Sequence, residues 1–436
     1  MNTRQALEYL EQIQNMGVKF GLDNVRTILE SLGNPHQSYP TVLVAGSNGK
    51  GSVCAMLTRI LSLHGFKVGL YTSPHLVRYE ERIRIGEEPI PAQVFGRVLG
   101  RLRREISGLI AGGRLSAPPT HFEHLTCLAL QYFAEQKVDL AVLEVGMGGR
   151  FDATNVVTPQ ISVITTISPE HQRSLGETID SIAFEKAGII KPKVPVVCGV
   201  KAPAALRVIR RRAREKQAPL REVFSERTRF QVIPRAGGIV FRYRNGKRTY
   251  TLTPSLEGEH QGMNAAVVLT AALELSRIWR PLAEPKMLEG IATTRWEGRL
   301  ETFLKQPWIV LDGAHNREGA LALKHFITTR MGGATVLVFA AMRDKNIREL
   351  ADILFPLASR ILLTRFPYSR AADPQEIARR VPPRFLSRLE EEPDPRSALK
   401  RAAALASPQG CVVVAGSIFL VGEIKKLFLD PGAVLA

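Results

Sequence analysis

The stretch Val44–Ser52, VAGSNGKGS, sets three glycines, a lysine and two serine hydroxyls where a chain could wrap a phosphate. The general phosphate-loop pattern is G-x-x-x-x-G-K-[ST]. Here Val44 holds the first place, Gly51 follows Lys50, and Ser52 comes one step late. Gly46, Gly49 and Gly51 would let the backbone approach an anion, Lys50 could reach the outer phosphates, and Ser52 could serve a metal if the turn is one residue longer. Glu144 closes the apolar run VDLAVLEVG. A carboxylate there either serves magnesium, as in nucleotide hydrolases, or caps a turn. His171 lies just past QISVITTIS and is open to a ligand or a structural reading, while Lys186, before AGIIKP, reads ordinarily as a surface lysine. In VLDGAHN, Asp312 and His315 end one run and precede a helix, so they could face a cleft or merely cap. GMGGRFDATN leads into no helical pattern and is not a dinucleotide fingerprint, and no G-x-S-x-G elbow with a Ser-His-Asp order is present.

These residues need strands and helices to hold them. β-branched apolar runs alternate with helical patterns, the sign of parallel sheets covered by helices. TVLVAG, KVGLYTS, VDLAVLEVG, QISVITTIS and VPVVCGV read as buried strands, with helices near 52–64, 120–136 and 177–188. After an Ala- and Leu-rich helix around 262–278 and the segment TTRWEGRLETF, the rhythm restarts in WIVLDGAH, ATVLVFAAM, RILLTRF and CVVVAGS. The predicted fold class is α/β in two domains. An N-terminal, P-loop NTPase-like, mostly parallel sheet with flanking helices spans 1–295, and a C-terminal Rossmann-like α/β domain spans 296–436. Ligands of such proteins usually bind in a cleft at the carboxyl ends of strands. The loop VAGSNGKGS runs from a strand into the helix SVCAMLTRILSLHGF, the setting in which a helix start favours anions.

At 436 residues and 45% hydrophobic, the chain is long enough for two cores. No apolar run reaches the roughly 18 residues of a membrane helix. MNTRQALEYLEQIQ reads as an amphipathic helix without the features of a signal peptide, so a soluble, cytoplasmic protein is expected. Cys54, Cys127, Cys198 and Cys411 form no C-x-x-C pair and are expected to be small buried residues. Residues 201–248 hold fifteen Lys and Arg against three Glu, two thirds of the chain's formal charge of +18. RVIRRRAREKQ reads as a basic helix and FRYRNGKRTYTL as a hairpin with Asn245-Gly246 at its turn. A solvated basic face is the simplest account, and attraction for an acidic substrate is the functional one.

Several segments together resemble the folylpolyglutamate synthase/dihydrofolate synthase family, a branch of the Mur ligases. They include GVKFGLDNVRTILESLGNP, VAGSNGKGS, GLYTSPHLVRYEERIRI, THFEHLTCLALQYFA, LEVGMGGRFDATN, EHQRSLGETIDSIAFEKAGIIK, LEGEHQGMNAAVVLTA, WEGRLE, LDGAHN and VVAGSIFLVGE, and they cover essentially the full length. The family's loop reads G-T-N-G-K-G-[ST], so Gly51 is its own form and Ser47 the only mild departure. The resemblance implies an ATP-dependent carboxylate–amine ligase that adds L-glutamate to a folate or dihydropteroate, with ATP as co-substrate and magnesium, two ions, as cofactor. It implies nucleotide contacts at Asn48, Gly49, Lys50, Gly51, Ser52, Asn264, Arg299 and Asp312, and metal ligands Ser73, Glu144 and His171. Lys186 matches the lysine carried as a carbamate; Lys50, Lys186 and His315 are the implied catalytic residues. Lys19, Phe20, Phe122, Phe151, Asp152 and Ala153 match positions around the pterin. Glu80, Glu170 and Glu297 depart from a frequent Asn, Asp and Pro, and Phe151 replaces a frequent Leu. A monomer acting on small molecules, without nucleic acid or membrane, is the implied state. A cell-wall or cyanophycin-type ligase and a nucleic-acid-binding ATPase are the alternatives.

Overall fold

The computed structural model describes residues 1–14, 21–235, 238–305, 307–331 and 334–429. By internal contacts the chain divides into two compact units, Met1–Ser255 with Gln261–Arg295, and Leu256–His260 with Trp296–Ala436.

The first unit is built on an eight-stranded sheet. Its strands are β1 (Thr41–Ala45), β2 (Val68–Tyr71), β3 (Ile83–Ile85), β4 (Glu88–Pro89), β5 (Leu140–Glu144), β6 (Ile161–Ile164), β7 (Val196–Cys198) and β8 (Leu220–Glu222), in the order β4-β3-β2-β5-β1-β6-β7-β8. The pairs β2–β5, β5–β1, β1–β6, β6–β7 and β7–β8 are parallel, and the β2–β3 and β3–β4 pairs run antiparallel. Every residue of β1, β2, β5, β6 and β7 is buried, as strands covered on both faces require. The helices are α1 (Thr3–Gln14), α2 (Asp23–Ser31), α3 (Lys50–Leu63), α4 (Ala92–Ala111), α5 (His121–Glu135), α6 (Gln172–Leu175), α7 (Ile179–Lys186), α8 (Pro203–Glu215), α9 (Glu259–Ile278) and α10 (Glu284–Thr293). Local chemistry starts α5. The Thr120 hydroxyl accepts from Glu123 N at 3.3 Å while the Glu123 carboxylate accepts from Thr120 N at 2.6 Å, a reciprocal cap.

The basic segment forms α8 and a three-stranded antiparallel sheet of β9 (Thr228–Arg235), β10 (Gly238–Asn245) and β11 (Arg248–Leu252). The turn sits one residue later than the Asn-Gly signal suggests. Asn245 pairs with Arg248, leaving Gly246 and Lys247 as the loop, with Gly246 at φ +62. Asn245 is still strand, and glycine alone takes the left-handed position.

In the second unit, β12 (Glu301–Lys305), β13 (Trp308–Leu311), β14 (Thr335–Phe339), β15 (Ala358–Leu363), β16 (Leu389–Glu391) and β17 (Cys411–Ala415) follow the order β12-β13-β17-β14-β15-β16. All pairs but β12–β13 are parallel. Helices α11 (Arg317–Arg330), α12 (Ile347–Leu354), α13 (Pro374–Arg380), α14 (Pro395–Leu405) and α15 (Ile418–Leu429) complete it. Phe355 meets Phe339 and Phe385 edge-on, at 5.2 and 5.7 Å between centroids, in its core. No helix among the described residues is long and apolar enough to cross a membrane, and all four cysteines are buried and unpaired.

Candidate functional site

The register of the first sheet determines which loops meet. Val44 lies beside Glu144, Tyr71 beside Leu143, and Ala45 beside Ile164, so the segments leaving β1, β2, β5 and β6 emerge from the same end. The loop after β1 starts α3 with Gly49 at φ +82. Two of its glycines are required by neighbours as well as by backbone. A methyl group on Gly46 would collide with Thr165 Oγ1, and one on Gly49 with the Asn264 amide. Thr165 and Thr166 bind the loop from the end of β6. The Asn48 carbonyl accepts from Thr165 Oγ1 at 2.7 Å, and Asn48 N donates to Thr166 Oγ1 at 3.0 Å. Ser47 accepts through its hydroxyl from Ser168 N at 3.0 Å. Asn264 therefore stands against the loop. It donates to Gln261 Oε1 at 3.0 Å, and Gln261 donates in turn to Ser52 Oγ at 3.3 Å. Gln261 was missed from the sequence, although it sits three residues before Asn264, on the same face of α9.

Lys186 is not a surface lysine: it is 1% exposed. Its Nζ donates to the Gly46 carbonyl at 2.8 Å and to Glu170 Oε1 at 2.7 Å. Lys50 Nζ donates to the same Gly46 carbonyl at 3.0 Å and to that of Ser47 at 3.2 Å. One carbonyl thus holds two ammonium groups. Burial lowers the Lys186 ammonium to about 8 despite the opposing pull of Glu170, and the nearby Lys50 charge adds to the fall. Burial pushes Glu170 up, but Lys186 and Lys50 pull harder and hold it at about 2, so the pair is ionised at neutral pH.

Glu144 is 5% exposed at the end of β5, and Ser73 N donates to its Oε2 at 3.0 Å. Two of the three expected metal ligands are thereby brought together. His171 is exposed, in a left-handed conformation (φ +48) before α6. Among the described residues no three His, Cys, Asp or Glu side chains group as a metal cluster. The donors on hand are a carboxylate and a hydroxyl, hard oxygens of the kind magnesium takes.

Around the glycine-rich loop after β5, Asp152 acts first as an organiser. Its carboxylate accepts from Gly146 N at 2.9 Å, Met147 N at 3.0 Å and Thr154 N at 3.0 Å. Ala153 is buried, Phe151 is 39% exposed, and Phe122 packs 5.9 Å from the Tyr71 ring. Gly146 touches Phe122 so closely that any side chain there would displace it. Lys19 and Phe20 lie outside the described residues. Next to Phe122, His121 joins a cluster the sequence reading missed. The Tyr79 ring lies 4.3 Å from His75 and 5.6 Å from His121, and Arg82 Nε donates to His75 Nδ1 at 2.9 Å. Burial, reinforced by the Arg82 charge, lowers His121 to about 3, so the ring is neutral.

The second unit carries its own cluster. Asp312, 8% exposed, accepts from Leu300 N and Ala314 N, each at 2.9 Å. Burial raises its pKa against the pull of Arg299. Capping α11 falls to Asn316, whose side chain accepts from Gly319 N at 2.9 Å, so Asp312 is not the helix cap. His315 Nδ1–H donates to the Gly313 carbonyl at 2.8 Å, which sets the ring's orientation. The Arg299 turn is braced by Lys425, 3% exposed, which lies 2.7 Å from Glu297 and 2.9 Å from Glu301. Glu301 also accepts from Gly298 N at 2.7 Å. Lys425→Met is expected to destabilise this unit by about 1–2 kcal/mol, less than a fully buried pair because Glu297 is half-exposed. Denaturant titration checks this, with an unchanged midpoint counting against the brace.

Comparison with known proteins accords with this geometry. Residues 44–272 match the Mur ligase middle domain, and residues 298–418 match the Mur ligase glutamate ligase domain. A dihydrofolate synthase/folylpolyglutamate synthase of Bacillus subtilis (strain 168) is 33% identical over 427 residues, 97% of this chain and 98% of that protein. The crystal structure of Mycobacterium tuberculosis folylpolyglutamate synthase complexed with ADP and AMPPCP superposes with a TM-score of 0.89 at 29% identity, covering 98% of this chain and 99% of that one. The bifunctional folylpolyglutamate synthase/dihydrofolate synthase of Yersinia pestis, complexed with AMPPNP and a Mn ion, gives a TM-score of 0.85 at 29% identity, covering 99% and 98%. The loop with its buried lysine, the strand-end carboxylate beside Ser73, and these full-length likenesses agree, and the chain belongs to the folylpolyglutamate synthase/dihydrofolate synthase family of Mur ligases.

Proposed function

We propose that the protein is an ATP-dependent ligase joining L-glutamate to the carboxylate of dihydropteroate, of a folate, or of both, with release of ADP and phosphate. The observation that carries this reading is the meeting of Lys50 and Lys186 on the Gly46 carbonyl, beside the strand that ends in Glu144.

A carboxylate is a poor electrophile. Its oxygen therefore attacks the γ-phosphorus of ATP, ADP leaves, and an acyl phosphate remains. The neutral amine of glutamate adds to the acyl carbon, and the tetrahedral adduct loses a proton from nitrogen and expels phosphate to leave an amide. The protein's part is positioning and charge neutralisation. Lys50, the Asn48 side chain and the N–H groups of Gly49, Gly51 and Ser52 at the start of α3 bind the phosphates, with Asn264 fixing the loop. Arg299 and Asp312 are the proposed nucleotide-binding residues of the second unit, and His315 is its proposed catalytic residue. Magnesium, which Ser73, Glu144 and His171 would hold, supplies further positive charge at the phosphates when bound.

Lys186 is proposed to react as the free amine with CO2, forming an N–C bond and releasing a proton. That change would convert the Lys186–Glu170 ion pair into two anions, which would hold a second divalent cation and so supply further positive charge. Phe122, Phe151, Asp152 and Ala153 form the proposed pterin surroundings, and Lys19 and Phe20, outside the described residues, are assigned to them by the family's motif alone. The neutral His121 and the Tyr79 and His75 rings beside Phe122 suit a flat heteroaromatic group.

ADP release measured with ATP and L-glutamate, comparing dihydropteroate with tetrahydrofolate as acceptor, tests the proposal. Acceptor-dependent release with at least one is expected. Release that ignores both acceptors would sink it.

A further inference from the structure

We infer that His121 is a contact residue for the acceptor's heterocycle, its Nε2 hydrogen-bonding the edge of that ring, and that Tyr9 on α1 positions it through His124. The inference rests on the ligase reading above and on the placing of Phe122 at the acceptor's ring.

His121 and His124 lie three residues apart on α5, one helical turn, and use their nitrogens differently. His124 is fully buried and spends both. Its Nδ1–H donates to the Thr120 carbonyl at 2.9 Å. A carbonyl can only accept, so Nε2 is left with its lone pair, which accepts from the Tyr9 hydroxyl at 2.8 Å. The Arg103 guanidinium of α4 lies over the Tyr9 ring, 4.6 Å from its centroid. Three helices thus meet at His124. Thr120, which His124 grips, is the N-cap of α5 and the residue just before His121.

His121 has no such partners. Its Nε2 is screened from water and meets no hydrogen-bond partner among the described residues. A buried nitrogen left unpaired costs stability, and phenylalanine would fill much the same space without that cost. A histidine kept there has a use outside the fold. The ring is neutral, so Nε2 can present either a proton or a lone pair. It stands between Tyr79, 5.6 Å away, and its sequence neighbour Phe122. The side chain is only half-buried and its outer torsion is broad, so a modest turn of the ring brings Nε2 onto a flat ligand at Phe122.

Steady-state kinetics with ATP, L-glutamate and the faster of dihydropteroate and tetrahydrofolate test the inference. In His121→Phe the acceptor KM is expected to rise about tenfold as one hydrogen bond is lost, with the ATP KM unchanged and the melting temperature unchanged or raised. His121→Gln keeps a polar group at similar reach and is expected to hold the acceptor KM within about threefold. Tyr9→Phe is expected to raise the acceptor KM about threefold when His121 is present and not at all in His121→Phe, since a positioning residue has no effect once the group it positions is gone. An acceptor KM unchanged in His121→Phe, or raised equally in His121→Gln, would overturn the contact while leaving the ligase reading intact. A Tyr9→Phe effect of the same size in both backgrounds, or one confined to melting temperature, would overturn the positioning role. Absence of acceptor-dependent turnover in the unsubstituted protein would overturn the ligase reading and the inference with it.

Discussion

Lys186→Ala is expected to abolish measurable ligation and to lower the stability of the first unit by about 3–5 kcal/mol, because the substitution strands the Glu170 carboxylate in an interior it can occupy only as half of an ion pair. The partners are 2% and 7% exposed along their side chains, so water cannot replace the ammonium. Two further variants separate the structural from the chemical contribution. Lys186→Ala/Glu170→Gln removes the stranded charge and is expected to recover most of the lost melting temperature without recovering turnover. In Lys186→Ala alone, formate or acetate is expected to restore part of the activity by standing in for the carbamate. Ligation at the unsubstituted rate in either variant would remove Lys186 from the chemistry.

Lys50→Ala is expected to leave the melting temperature nearly unchanged while lowering kcat by about 10²–10³-fold, the usual loss when one fixed positive group is taken from a transition state that gathers negative charge. The asymmetry with Lys186 follows from position. Lys50 is half-buried at a helix start and among the described residues bonds only to the loop carbonyls of Gly46 and Ser47, so its removal strands no charge. Single-turnover measurement of ADP formation checks the prediction. A Lys50→Ala protein within tenfold of the unsubstituted rate would show that the loop binds phosphate mainly through its backbone.

The inner parallel strands were legible because each is a short β-branched run buried on both faces, whereas the outer parallel strands β8 and β16, three half-exposed residues each, were not. The strand-loop-helix setting of VAGSNGKGS was equally plain. Lys186 was not: its burial depends on Gly46, 140 residues earlier in the chain, and a lysine near a helix end gives no sign of that approach. Gln261, Thr165 and Thr166 stayed hidden for a related reason, since their value lies in which loop they face. β9 went unrecognised because most of its residues are exposed, so it shows no apolar face to read. The hairpin turn moved by one residue because Asn245 gains a strand partner in Arg248, which outweighs the local preference of Asn-Gly for the loop. Asp312 could be read as a helix cap or a site group, and the hydrogen bond donated by Gly319 N to Asn316 gives the cap to Asn316.

The four cysteines carry a practical consequence. Each is buried, and burial raises every thiol well above its ordinary value, Cys198 and Cys411 to about 12. Since the thiolate is the reactive form, none offers itself to an alkylating reagent while the fold is intact. A fifth cysteine placed on the surface, at the exposed Arg242 for instance, would then be the one position to take a maleimide dye, and the native chain is already the background for a single fluorophore.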